Sequence, residues 1–361
     1  MTIETMPSTA KAVGEDVLRR LEPIRSLSGM RLHELSTLCT GETVSRGLDP
    51  FRLQGVSGQS VYLMSGELKL TFDDGSSCVL VGGSETSHWP LAKRPPFVRD
   101  AKAITDIELI RVDDQMLDIM MTWDQLSGGS DTPAGNPEAT DWRLMSGAFR
   151  LQSLTDGALS RLPSASIDEL FRRFERIRCK AGEIILREGD EGDFYYIIEN
   201  GRCSVSRRVG SVDMLLAELK AGDAFGEEAL VAESARNATV RMKTAGVLLR
   251  LKKSDFIELL REPLLKRLSW TEAGQHVAAG ALWLDVRYPS EYQNDRLPGA
   301  VNVPLSEIRN AIDVLDRQPE YIVYCQSGRR SSAAAFLLSQ RGYRACWLED
   351  GLQASALSVH N

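Results

Sequence analysis

Residues 225–240 read FGEEALVAESARNATV, a glycine followed by a short helical turn and then an arginine. Gly226 beside such a turn lets backbone N–H groups approach an anion closely. Arg236, nine residues after Glu227, can supply a fork of donors to a phosphate across the turn. Because a glutamate that faced the phosphate would be repelled, Glu227 is expected to accept from a sugar hydroxyl instead. The segment therefore predicts a binding site for a phosphate joined to a sugar.

The residues around this segment, from about 154 to 265, resemble cyclic-nucleotide-binding domains. The resemblance includes the turns KAGE (180–183) and EGDEGD (188–193) and the glycine at position 201. It implies that Glu227 binds the ribose 2′-hydroxyl and that Arg236 binds the cyclic phosphate. Gly226, Ala229 and neighbouring backbone amides would complete the phosphate site.

The same resemblance bears on the identity of the ligand. In that family a Ser or Thr directly after the arginine favours cGMP, whereas Asn237 stands there in this chain. This difference favours cAMP slightly and leaves cGMP open. The helix predicted over 254–265 would be a lid that senses the base and transmits occupancy.

Parts of this domain recur 135 positions earlier in the chain. HEL at 33–35 corresponds to DEL at 168–170, and VYLMSG at 61–66 corresponds to YIIENG at 196–201. Each copy reads as a short helix, several short strands separated by glycine turns, and a closing helix. The pattern is typical of a β-roll or sandwich and predicts two such domains.

The first copy lacks the groups that would bind a nucleotide. An offset of 139 aligns the glycines at 83 and 222 and the threonines at 105 and 244. It places His88 at the position of Glu227 and Phe97 at the position of Arg236. Since phenylalanine offers no donor, a buried phosphate there would be unpaired unless an arginine at 94 or 99 compensates. We therefore interpret the first copy as a structural or dimerising module.

Beyond residue 270 short apolar runs alternate with helical spacing. Residues 282–286, 321–324 and 344–348 are predicted to be buried strands and 331–341 a helix, the pattern of a parallel sheet with helices on both faces. The loop YCQSGRRS (324–331) places Cys325 at the carboxyl end of a strand, where open α/β sheets have their sites. Loop amides and the helix N-terminus would favour the thiolate, Gly328 permits the tight turn, and Arg329 and Arg330 add positive charge.

This region, over roughly 267–355, resembles the rhodanese family. The resemblance also includes LDVRYPSEY (284–292), LPGAVNVP (297–304) and LEDG (348–351). It implies that Cys325 takes a sulfane sulfur, forms a persulfide and passes the sulfur to a thiol or cyanide. Asp285 and Arg287 would orient the loop. The other loop residues, which would cradle an anion, are Gln326, Ser327, Gly328 and Ser331.

The rival chemistry for this loop is that of a phosphatase. Such a loop needs an arginine six residues after the cysteine, and that position is Ser331. The short form, with Arg330 five residues after Cys325, fits sulfur better than the larger phosphate. A buried inert cysteine is the remaining alternative. Cys346 is interpreted as a core residue.

Length and composition limit the overall organisation. The 361 residues predict a disordered N-terminus (1–16), a degenerate β-roll (17–126), a linker (127–142), an intact β-roll (143–266) and a rhodanese-like domain (267–361). The net charge of −7 argues against nucleic acid as the main partner. The six scattered cysteines suggest neither zinc nor a disulfide framework, so no metal is expected. No apolar run long enough for a membrane span and no signal peptide is visible, which predicts a cytoplasmic protein.

These observations predict a multidomain chain with two β-rolls followed by a parallel-sheet α/β domain. The leading hypothesis is a sulfurtransferase that is gated by a cyclic nucleotide and that acts on a small-molecule or protein sulfur donor and acceptor. A homodimer is left open because β-roll domains of this kind often pair through helices. The alternative is a non-catalytic sensor or scaffold whose last domain only binds a partner. A transcription regulator is disfavoured, since no basic recognition helix follows the second β-roll.

Overall fold

The computed structural model describes residues 11–53, 55, 57–93, 96–128, 149–155, 158–209, 212–226, 235–260, 265–312 and 314–353. They form three domains in chain order, two built from antiparallel sheets and one from a parallel sheet. None of the helices within these ranges has the length and hydropathy that crossing a bilayer would need.

The first domain is a β-roll of two antiparallel sheets, with strand orders β1-β2-β7-β3 and β5-β4-β6. Its strands are β1 (Lys11–Ala12), β2 (Thr40–Val44), β3 (Gln59–Ser65), β4 (Glu67–Phe72), β5 (Ser77–Val81), β6 (Val98–Ala103) and β7 (Ile107–Asp113). Its helices are α1 (Glu15–Leu18), α2 (Gly29–Leu38), α3 (Pro50–Leu53) and α4 (Asp114–Gly128).

Both ends of this domain differ from the sequence prediction. Strand β1 pairs with β2 and Val13 is buried, so order begins before residue 17 and the predicted disorder does not hold for 11–16. At the other end α4 continues to Gly128, and Ser127 is buried with its hydroxyl donating to the carbonyl of Asp124. The predicted linker therefore starts inside a helix, whose apolar face packs on the core. Residues 129–142 of the predicted linker lie outside the described residues.

The second domain repeats this architecture with sheets β13-β10-β15-β8 and β12-β11-β14-β9. Its strands are β8 (Glu175–Cys179), β9 (Ile184–Leu186), β10 (Phe194–Asn200), β11 (Arg202–Val209), β12 (Val212–Lys220), β13 (Ala224–Phe225), β14 (Thr239–Met242) and β15 (Gly246–Lys252). Its helices are α5 (Leu151–Thr155), α6 (Ile167–Arg173) and α7 (Lys253–Leu259), and 3-10 turns cover Ala158–Arg161 and Ser164–Ser166. The helix predicted over 254–265 thus ends at Leu259, and 261–264 lie outside the described residues.

The two β-rolls share strand register as well as strand order. Leu68 pairs with Ala103 in the first, and Cys203 pairs with Met242 in the second. Leu68 and Cys203 lie 135 positions apart, and Ala103 and Met242 lie 139 positions apart, which are the two offsets found in the sequence. A β-bulge falls at residues 63–65 between β3 and β7, and again at 198–200 between β10 and β15. Because a one-residue slip would turn every side chain to the other face, matched register supports the predicted duplication.

The third domain has a five-stranded parallel sheet of order β16-β20-β19-β17-β18. Its strands are β16 (Arg267–Leu268), β17 (Leu282–Asp285), β18 (Val301–Asn302), β19 (Tyr321–Tyr324) and β20 (Ala345–Leu348). Its helices are α8 (Trp270–Ala278), α9 (Pro289–Asn294), α10 (Ile308–Ala311) and α11 (Arg329–Gln340), with a 3-10 turn at Leu305–Glu307. All four residues of β19 are buried, as expected for a central parallel strand.

Helices at the domain boundaries join the three units into one core. The ring of Trp123 on α4 lies 5.4 Å from that of Phe149 and 5.7 Å from that of Phe171 on α6. The same hydrophobic cluster continues under α11 of the third domain. The 3-10 turn Ser164–Ser166 also packs against α11. Both β-rolls therefore contact the helix that follows Cys325.

Candidate functional site

The Cys325 side chain is fully buried where β19 ends and the loop to α11 begins. The backbone N–H groups of Gly328 and Ser331 donate to its Sγ at 3.2 and 3.4 Å. The Ser331 hydroxyl lies 3.5 Å from the same sulfur. Oriented amides at a helix N-terminus stabilise negative charge, so these N–H groups can stabilise a negative charge that develops on the sulfur.

Gly328 is needed for the shape of this loop. Its φ is +93°, and a Cβ built on it would lie 2.9 Å from the Trp347 ring and 3.2 Å from the Asp350 amide nitrogen. A side chain would therefore be strained by the backbone conformation and would also clash. The loop can aim its amides at Cys325 because this position has no side chain.

Arg330 is buried beside Cys325 and forms a two-pronged ion pair with Glu291 at 2.8 and 3.0 Å. Burial opposes the charge of Arg330, but the attraction of Glu291, with smaller contributions from Cys325 and Asp118, raises its pKa overall. Burial likewise opposes the charge of Glu291, and Arg330 outweighs it and lowers the pKa of that carboxyl. The predicted positive charge of Arg330 is thus present but neutralised by a carboxylate that the sequence did not single out.

Asp285 and Arg287 form a second buried ion pair at 2.8 Å beneath the loop. Arg287 also pairs with Asp295 at 2.8 Å, and its guanidinium lies 5.6 Å from the centre of the Tyr324 ring. The contact of Arg287 with Tyr324 links this pair to the residue before Cys325. The pair can therefore position the loop through the strand end that precedes it.

An acidic side chain from the first domain reaches the cysteine loop. The Ser327 hydroxyl donates to Oδ2 of Asp118 on α4 at 2.6 Å. Nε of Arg329 lies 3.3 Å from the same oxygen. Beside these contacts, a cavity of about 750 Å³ is lined by residues of both the first domain and the loop, among them Gln326. Sequence reasoning missed Asp118, and its apolar neighbours on α4 give no local sign of a role in another domain.

In the second β-roll the structure brings Gly226 and Arg236 together. Nη1 of Arg236 donates to the Gly226 carbonyl at 3.1 Å, and Nη2 donates to the Phe194 carbonyl at 2.7 Å. Gly226 has a φ of +81°. Asn237 is exposed, and its carbonyl accepts from Nε of Arg207 at 2.8 Å. The predicted site residues Glu227 and Ala229 lie outside the described residues.

In the first β-roll, His88 and Phe97 stand at the positions of Glu227 and Arg236. His88 ends a 3-10 turn and its carbonyl accepts from the Glu22 amide at 2.8 Å. The Phe97 carbonyl accepts from the Asp73 amide, and the Phe97 amide donates to the Asp73 carboxylate. The cavity nearby has a volume of about 120 Å³ and is lined mainly by Leu70, Phe72, Trp89, Pro90, Pro96 and Val98. Ligand pockets are usually several hundred Å³, so this small cavity does not suit a nucleotide. Phe97 itself borders the cavity of about 750 Å³ next to the cysteine loop.

Comparisons with known proteins match the second β-roll and the third domain to different families. A family model for the cyclic nucleotide-binding domain matches residues 176–262, and one for the rhodanese-like domain matches 269–356. A cAMP-dependent protein kinase regulatory subunit of Schizosaccharomyces pombe is 34% identical over 119 residues, 31% of this chain and 28% of that protein. Thiosulfate sulfurtransferase PspE of Escherichia coli is 42% identical over 69 residues, 19% of this chain and 66% of that protein.

The chain thus spans less than two thirds of the length of either relative. Among solved structures, the regulatory domain of Toxoplasma gondii PKA with cAMP aligns over 68% of this chain and 90% of its own, with 20% identity and a TM-score of 0.30. The family matches cover the second β-roll and the parallel-sheet domain. The chain therefore contains a cyclic nucleotide-binding domain followed by a rhodanese-like domain.

Proposed function

We propose that the chain is a sulfurtransferase whose activity responds to a cyclic nucleotide. The observation that carries the catalytic part is the pair of N–H groups that converge on the Cys325 sulfur at the end of β19. A thiolate that is stabilised in this way is the nucleophile that sulfur transfer needs. The relative PspE, named as a thiosulfate sulfurtransferase, supports the same chemistry.

The reaction proceeds in two displacements. The Cys325 thiolate attacks the outer sulfur of the donor, a sulfur–sulfur bond forms, and the donor's own bond breaks with its electron pair leaving on sulfite or a sulfinate. An acceptor such as cyanide or a thiolate then attacks the outer sulfur of the persulfide, and the Cys325 thiolate is restored. The N–H groups of Gly328 and Ser331 can stabilise the negative sulfur at the start and end of this cycle. A reducing compartment such as the cytoplasm suits it, since all six cysteines are free thiols.

The second β-roll supplies the nucleotide site in this proposal. The Arg236 guanidinium has five N–H donors, and it already lies against Gly226, whose backbone would approach the phosphate. By family resemblance Glu227 would take the ribose hydroxyl, and Asn237 makes cAMP the favoured ligand. The cAMP-dependent regulatory subunits among the relatives support a cyclic nucleotide.

The route from nucleotide to cysteine runs through packed helices. Arg309 on α10 donates from Nε to Asp168 on α6 at 3.0 Å and from Nη2 to the carbonyl of Leu126 on α4 at 3.2 Å. One side chain of the rhodanese-like domain thus forms hydrogen bonds with helices of both β-rolls. A shift of α6 on nucleotide binding would reach α11, although coupling requires that the nucleotide stabilise one arrangement over the other.

Two measurements test this function. Mass spectrometry after incubation with a sulfur donor should find one added sulfur on Cys325 in the wild type and none in the Cys325→Ser variant. Turnover of donor and cyanide, measured with and without cAMP and cGMP, should change on nucleotide addition in the wild type and not in Arg236→Ala. Rates that are identical under all conditions would contradict the regulatory part. Unmodified Cys325 would contradict the catalytic part and favour the sensor or scaffold hypothesis.

A further inference from the structure

The first β-roll, which lacks the nucleotide-binding groups, places a carboxylate at the cysteine loop. Asp118 Oδ2 accepts from the Ser327 hydroxyl at 2.6 Å and lies 3.3 Å from Arg329 Nε. The Asp118 side chain is only 13% exposed. These hydroxyl and guanidinium groups are the donors that an anionic substrate at this loop would otherwise meet. An internal anion therefore already occupies one side of the loop.

Asp118 also acts on Arg330, next to Cys325. Its Oδ1 is 3.8 Å from Arg330 Nε, beyond hydrogen-bonding distance. Both atoms are buried, and within the described part of the chain neither has a hydrogen-bond partner. Glu291 occupies the other two nitrogens of the same guanidinium. Two carboxylates thus face one arginine, and no positive charge of Arg330 is left over for an incoming anion.

A cavity that borders the loop shows the same balance. It lies between the first β-roll and the rhodanese-like domain, and its charged lining includes Lys93, Asp113, Asp114 and Arg329. Lys93 is paired with Asp114, and Arg329 is the residue beside Asp118. A donor that enters here meets basic groups that are each matched by a carboxylate.

We propose that Asp118 is a specificity-determining residue, contributed by the first β-roll, that makes the Cys325 site select sulfur donors without net negative charge over dianions such as thiosulfate. The inference rests on the proposed function of Cys325. It gives the degenerate β-roll a role as a wall of the substrate site. The selected class is sulfane sulfur carried on a neutral or zwitterionic organic molecule or on a protein cysteine.

Two donors with the same reacting group and different charge test the proposal. Thiosulfate is a dianion, whereas thiotaurine, an aminoethyl thiosulfonate, is a zwitterion of zero net charge. Each passes its outer sulfur to the Cys325 thiolate as the donor's sulfur–sulfur bond breaks, and each releases the electron pair on sulfite or a sulfinate. In Asp118→Asn the rate of Cys325 persulfide formation from thiosulfate, relative to thiotaurine, should rise roughly tenfold because one repulsive charge is removed. The full chain is used throughout.

Asp113→Asn is the matched control. It removes the same charge from the same cavity at the start of the same helix, where the Asp113 carboxylate accepts from the Met116 amide. Asparagine caps helices equally well, so the ratio of the two donors should stay at the wild-type value. An unchanged ratio in Asp118→Asn, or an equal rise in both variants, would overturn the proposal.

A binding measurement separates this inference from the proposed function. Calorimetry with thiosulfate on Cys325→Ser, with and without Asp118→Asn, reports anion selection without any sulfur transfer. Tighter thiosulfate binding in the double variant would support the inference even if no persulfide forms, and in that case only the proposed function would fail. Equal binding in both, together with normal persulfide formation, would overturn the inference alone.

Discussion

The Arg330 side chain lies beside Cys325, yet both of its terminal nitrogens bond to Glu291. Arg330 is 1% exposed and Glu291 is 6% exposed, so neither charge is well hydrated. Such a pair is costly to bury and still more costly to break, because the remaining partner is left uncompensated. The conformation of the cysteine loop therefore depends on a residue of α9, as well as on the loop's own glycine and amides.

Replacing Glu291 with Ala should destabilise the protein by about 3–5 kcal/mol, because Arg330 would stay buried without its partner. Urea denaturation of the full chain measures this loss. Glu349→Ala is the control, since the Glu349 side chain is 42% exposed and that of its partner Arg267 is 69% exposed. An exposed pair of this kind contributes about 0–1 kcal/mol. Equal losses in the two variants would show that the Glu291 pair does not stabilise the loop.

The same pair predicts a dependence of stability on pH. Because folding lowers the pKa of Glu291, its contribution is present above the unfolded value and disappears as pH falls through the folded value. The pKa of a glutamate in an unfolded chain is about 4.3. Denaturation curves should therefore show the wild type losing more stability than Glu291→Gln between neutral pH and the acidic region. Parallel curves for the two proteins would contradict this expectation.

At the scale of elements, the backbone that follows β13 and the Arg236 side chain approach each other closely at Gly226. A Cβ at Gly226 would lie 2.9 Å from Nη1 of Arg236 and 3.0 Å from the Phe194 carbonyl. Arg236 could not keep its place against that carbonyl. Arg236, which we propose binds the phosphate, is thus positioned by a glycine that the sequence had assigned to the phosphate alone.

Gly226→Ala should weaken cAMP binding by roughly tenfold or more, because displacing Arg236 removes a charge-assisted contact of about 1.5–3 kcal/mol. Isothermal titration calorimetry measures the affinity. Gly182→Ala is the control, because Gly182 has a similar φ of +84° and a Cβ added there would meet nothing within 4 Å. Both variants carry the backbone cost of about 1–2 kcal/mol, and only the first should lose affinity. A similar affinity in both would contradict the role of Gly226.

At the scale of the whole molecule, α4, α6 and α11 bring both β-rolls against the rhodanese-like domain. Asp168 on α6 bonds to Arg309 across the domain boundary and to Arg172 within its own helix, at 3.0 Å in each case. Since Asp168 is buried, water screens its ion pairs less than it would at the surface. If the nucleotide and cysteine sites communicate as we propose, breaking this contact should interrupt the communication.

Arg309→Ala should reduce or abolish the effect of cAMP on sulfur transfer while leaving cAMP binding intact, because the α6 contact to α10 is lost. The ratio of transfer rates with and without cAMP measures this. Arg172→Ala removes the other arginine from the same carboxylate but leaves the contact between domains, so it should keep the wild-type ratio. If cAMP changes the rate equally in both variants, the signal does not pass through Arg309.

The amino-acid sequence alone determined the two β-rolls, the parallel-sheet domain and the position of Cys325 in its loop. These features come from local patterns: glycine turns, strand periodicity, and a contiguous loop between a buried strand and a helix. Tertiary structure decided which other groups surround that loop. Glu291, Asp118 and Arg309 meet their partners across 39, 209 and 141 positions. Such contacts arise only when distant segments of the chain pack together, and no local spacing in the chain records them.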